Sequence, residues 1–76
     1  MNKQYILEEL LKREVPVHFF WQKDKGPAIR FHIGNDSWNA LLPINDEDDA
    51  RFVNFVETNY KRLVANSKKK TDIPIV

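Results

Sequence analysis

The chain reads as a small α+β domain of order αβββα: a helix, a three-stranded antiparallel meander and a second helix, with both helices packed on one face of the sheet. Three observations predict this. An amphipathic stripe opens the chain, two aromatic and β-branched runs occupy its middle, and a longer amphipathic stripe follows an acidic cluster. Seventy-six residues allow one domain with a modest core, and nine aromatic side chains give that core its bulk.

Asn2 to Arg13 forms the first helix. Ile6, Leu7, Leu10 and Leu11 recur at the spacing of one apolar stripe, while Lys3, Glu8, Glu9, Lys12 and Arg13 face water. Pro16 ends it, because the residue before a proline is pushed out of the helical region.

Val17 to Gln22 and Ala28 to Ile33 form two strands, joined through Lys23-Asp24-Lys25-Gly26-Pro27. Pairing Gln22 near Ala28 sets Trp21 opposite Ile29, Phe19 opposite Phe31 and Val17 opposite Ile33, which makes one face wholly apolar. A slip of one residue would mix Phe with Arg30 and His32, so alternation disfavours it. The other face carries His18, Phe20, Gln22, Arg30 and His32, with His18 opposite His32.

Gly34-Asn35 is a two-residue hairpin signal with Gly first, as a type II′ turn requires. It leads into a third strand, about Asp36 to Leu42, in which Phe31 meets Trp38 and Ile29 meets Ala40. Pro43 stops the ladder. Asn45 is an N-cap for a second helix running to about Ser67, with Val53, Val56, Tyr60, Leu63 and Val64 on one face and Phe52 and Phe55 widening it. The domain covers residues 1–70, and residues 71–76 form an extended tail. Its apolar end, Ile73 to Val76, could add a strand to a sheet edge.

Net charge is +1, unevenly placed: +2 over residues 1–30, −5 over 31–60 and +4 over 61–76. Acid at the start of the second helix and base at its end follow the macrodipole. The chain has no cysteine, which excludes disulfides, thiolate metal sites and cysteine nucleophiles. No apolar run approaches the ~18 residues of a membrane span, and the opening residues lack a signal-peptide core. A soluble cytoplasmic protein is the expectation.

Four candidate sites emerge. His18 and His32, side by side, would hold a metal ion only with a third ligand such as Asp36, and no metal motif supports that. Asp46, Glu47, Asp48 and Asp49 exceed what a helix cap requires, yet lack the ligand spacing of a calcium loop. Lys68 to Lys70 read as a solvated helix end or as a phosphate contact. Phe20, Arg30, Leu41 and the two histidines give the uncovered sheet face the composition of a binding patch. Catalytic motifs and phosphate-cradling glycine loops are missing from a chain with two glycines, so no enzyme activity and no cofactor are expected.

The order helix–strand–strand–strand–helix resembles the double-stranded-RNA-binding domain, and Gly26-Pro27-Ala28 resembles the start of that family's G-P-x-H motif. The motif's His falls on Ile29 here. Where that family opens its second helix with phosphate-gripping lysines, this chain has Asp46-Glu47-Asp48-Asp49, which would repel RNA. Small size, no cysteine and no motif also resemble accessory proteins of phages and mobile elements.

The reading that follows is a non-enzymatic protein-binding module: an adaptor, inhibitor or regulator that occupies a partner's surface. Its contacts would be Phe20, Arg30, His18, His32, Leu41 and Asp46 to Asp49, with the acids addressing a basic groove on a nucleic-acid-handling host protein. The alternative is nucleic-acid binding through the basic C-terminal end. The chain would be a monomer or homodimer.

Overall fold

In a computed structural model, which describes residues 1–71 and side chains as far as Ser67, the order is α1 (Lys3–Lys12), β1 (His18–Gln22), β2 (Gly26–Ile33), β3 (Asp36–Leu41), a 3₁₀ turn (Asp46–Asp48) and α2 (Asp49–Thr71). This is the expected α+β fold. The sheet is antiparallel in the order β1-β2-β3, with β2 central.

The α1 helix begins at Asn2, whose Oδ1 accepts the Tyr5 N–H at 3.0 Å. It ends before Pro16 is reached, in a Schellman turn. Glu14 N–H donates to Leu11 O at 3.0 Å and Val15 N–H to Leu10 O at 2.9 Å. Val15 and Leu10, the apolar pair that accompanies this turn, are both buried. Glu14 stands at the left-handed position, φ 59°, where glycine is usual.

Alternation along β2 sends Ile29, Phe31 and Ile33 to the helix side. The core joins Ile29 and Phe31 to Ile6 and Leu10 of α1, to Phe52, Val53 and Val56 of α2, and to Val15 and Leu42 between elements. Phe31 is the largest fully buried side chain. It stacks on Trp38 at 5.0 Å and meets the edge of Tyr60 at 5.2 Å.

The helices run side by side in the same direction. Near their starts, Asn2 N–H donates to Asp49 Oδ2 at 2.7 Å; farther along, Arg13 Nε lies 3.4 Å from Glu57 Oε1. Glu9 also holds Arg13, at 2.8 Å, and the Arg13 guanidinium lowers the Glu9 carboxyl below its ordinary range. Lys3 Nζ sits 4.9 Å over the Phe19 ring, and Phe55 meets Trp38 at 5.5 Å. Thus α1 lies toward β1, while α2 packs on β2 and reaches toward β3.

Several details differ from expectation. The β2–β3 register is as derived, but β1 pairs two residues away: Phe19 faces Ile29, Trp21 faces Pro27, and His18 faces Arg30 rather than His32. The cause is the turn. Lys25 N–H donates to Gln22 O at 3.0 Å, and Asp24 takes φ 65°, the third position of a type II turn. Gly26 and Pro27 therefore enter β2 instead of the loop. An even shift preserves which residues share a face, so the division into apolar and open faces survives.

Two stripes are narrower than they read. Leu7 and Leu11 are 41% and 70% exposed, because the sheet takes Ile6 and Leu10 and α2 takes the Glu9/Arg13 side. Trp21 is 73% exposed, lying beyond the cover of either helix, and Phe55 is 51% exposed. Asn45 makes no side-chain cap and precedes the 3₁₀ turn, while α2 continues past Ser67 to Thr71. Thr71, expected to open the extended tail, belongs to α2, and the rest of that tail, residues 72–76, lies outside the described residues.

Replacing Glu14 by glycine removes the steric cost of a Cβ at a left-handed position. Glu14→Gly should raise stability by about 1 kcal/mol in a urea titration; unchanged or lower stability would contradict the geometry.

Candidate functional site

The face of the sheet turned away from both helices is built by strand alternation. Registers place His18, Phe20 and Gln22 of β1, Ala28, Arg30 and His32 of β2, and Ser37, Asn39 and Leu41 of β3 on this side. Phe20, Ala28 and Leu41 form one cross-strand row, and His18, Arg30 and Asn39 the next. Ala28 is fully buried although no helix covers it, so the larger side chains around it close over it. Leu41 stays 44% exposed.

Planar groups lie against one another across this face. The Arg30 guanidinium carbon sits 4.4 Å over the Phe20 ring, a cation–π contact that desolvates part of the cation. His18 and His32 stack at 5.5 Å with 19° between their planes, and His18 meets Phe20 at 6.4 Å. Arg30 Nε is buried with no hydrogen-bond partner. None of these residues is acidic.

The predicted site residues thus separate into two groups. His18, Phe20, Arg30, His32 and Leu41 share the open face, as the alternation implied. Asp46 to Asp49 do not form one acidic surface. Asp46 pairs with the Met1 ammonium, and Asp49 is 3% exposed, its Oδ2 holding Asn2 N–H and its Oδ1 buried without a partner. Glu47 is exposed and Asp48 half-buried. The cluster therefore fastens the start of α1 to the start of α2, a role its spacing in sequence did not reveal.

Asp36 does not complete a metal site with the histidines. Pairing with Ile33, it belongs to the helix side of the sheet. Among the described residues no group of three His, Asp or Glu side chains is placed to hold a metal ion. A cavity of ≈ 590 Å³ opens instead between the later turns of α2 and the β2–β3 hairpin, lined by Ile33, Asp36, Trp38, Leu63 and Asn66 among others. Nothing in the sequence alone pointed to this hollow. No helix among the described residues is long and apolar enough to cross a membrane.

Compared with protein-family models, curated proteins and solved structures, the chain matches none.

The two halves of the acidic run should respond differently to substitution. Asp49→Ala removes a charged hydrogen-bond acceptor from a buried position, for an expected loss of about 1.5–3 kcal/mol. Glu47→Lys, at an exposed position, should change stability by less than about 0.5 kcal/mol, as surface substitutions do. Chemical denaturation of the two variants distinguishes them; equal losses would refute the division.

Proposed function

We propose that this protein is a binding module whose open sheet face receives an acidic segment of a partner protein, so that it acts as an adaptor, inhibitor or regulator by occupying that partner's surface. The observation that carries this reading is Arg30. Its guanidinium is held over the Phe20 ring, with a buried unpartnered Nε, on a face to which no carboxylate of the described residues belongs. A partner carboxylate meeting the remaining guanidinium N–H groups would form a charge-assisted hydrogen bond beside an apolar anchor. His18 and His32 add donors next to it, and Leu41 adds exposed apolar area on the far side of Ala28.

The cation–π packing fixes Arg30 before a partner arrives, which lowers the entropy lost on binding. Among the described residues no acidic side chain shares the face, so none of them competes for the guanidinium. Glu47, exposed, and Asp48, half-buried, offer a smaller charge than the four-residue run suggested, which weakens the version in which that run engages a basic groove. Any phosphate contact by Lys68 to Lys70 concerns side chains outside the described ones.

The test is capture from lysate on immobilised protein, with Phe20→Ala/Arg30→Ala as the control and nuclease added to half the sample. Capture should survive nuclease, fall by the equivalent of about 2 kcal/mol or more in the double variant, and be competed by a glutamate-rich peptide. Capture abolished by nuclease, or indifferent to both the variant and the peptide, would refute the reading.

A further inference from the structure

The outer edge of β1 is the least protected part of the sheet. Its five residues, His18-Phe19-Phe20-Trp21-Gln22, include no Lys, Arg, Asp, Glu or Pro, and among the described residues no strand pairs with that edge. Natural edges are usually blunted by a charge, a proline or a bulge. The opposite edge carries a charge within the strand itself, Asp36 at the start of β3, whereas the guards nearest β1, Pro16 and Lys23, lie outside its five residues.

A second feature lies beside it. On α1 the Ile6/Leu10 side meets the sheet and the Glu9/Arg13 side meets α2. Lys3, over Phe19, marks the side toward β1. Leu7 and Leu11 follow Lys3 at four-residue steps, so they line the flank of α1 above the free edge, 41% and 70% exposed. Trp21, 73% exposed, stands at the far end of the same strand.

We infer that β1 and this flank of α1 form a two-fold interface with a second copy of this chain. Antiparallel pairing centred on Phe20 sets Phe20 against its own copy, Phe19 against Trp21 and His18 against Gln22. It places no acid or lysine opposite its like, so the strand is electrostatically compatible with itself. The same rotation brings the two α1 flanks together, so that Leu7 and Leu11 of each copy leave water along with the strand edge. A closed two-fold interface of this kind uses one patch on both molecules and cannot propagate. It joins the sheets into six strands and sets two open faces side by side. The inference is independent of what that face binds.

The test is sedimentation velocity over a concentration series, with amide hydrogen exchange followed on β1. Wild-type protein should dimerise, and alternate β1 amides should gain protection as concentration rises. Trp21→Lys guards the strand edge, and Leu7→Glu/Leu11→Glu charges the flank; all three positions are exposed in the single chain and lie off the open face. Each variant should weaken dimerisation by roughly tenfold or more, about 1.4 kcal/mol, while circular dichroism stays unchanged. A wild-type chain that remains monomeric throughout would overturn the inference. So would a dimer that both variants leave intact or that forms without protecting β1. Should a variant lose its fold, the exchange pattern of the wild-type strand decides alone.

Discussion

Strict alternation along β2, the one strand paired on both sides, is the constraint from which the remaining arrangement follows. Ile29, Phe31 and Ile33 point one way, and Ala28, Arg30 and His32 the other. Both helices must cover the first set, because nowhere else on the sheet offers comparable apolar area. Phe31 then becomes the point where sheet and α2 lock, between Trp38 and Tyr60. The second set is left without a covering layer, and its polar groups turn to one another. The guanidinium-on-phenyl contact and the histidine stack are what a middle strand's outward side chains do when no helix lies over them.

Electrostatics determine how the helices are aligned more than how strongly they are held. A carboxylate at the start of α2 meets a backbone N–H at the start of α1, and farther on a guanidinium meets a glutamate. Contacts of this kind fix direction and offset, while the buried Ile, Leu, Val and Phe side chains supply most of the burial. Asp49 thus spends its charge inside the molecule. A cluster that reads as a surface feature is divided by helical geometry, which carries one acid inward for every few that face water.

Element order, the uncovered face and the β2–β3 register were legible because each rests on local rules. Gly34, at φ 61°, takes the first central position of its turn and pins Phe31 to Trp38. Loop length between β1 and β2 was not legible: Gly26 and Pro27 are strong turn residues, whereas the observed turn uses Asp24 at a position favouring glycine or asparagine. Facing was recoverable even so, since a two-residue shift leaves parity intact. Tertiary partners of the acidic run, the width of each helical stripe actually covered, and the side of the sheet taken by Asp36 depend on which segments lie adjacent in space. A single sequence does not encode those pairings as a periodic signal.

The two tryptophans occupy contrasting environments, and this gives the molecule a pair of intrinsic optical reporters. Trp38 is half-buried, stacked on Phe31 and touched by Phe55, so its emission follows the closure of α2 on the sheet. Trp21 stands largely in water at the end of an edge strand, so its emission follows whatever comes to lie beside β1. Folding and association therefore write to separate chromophores, readable one at a time once either indole is replaced by phenylalanine.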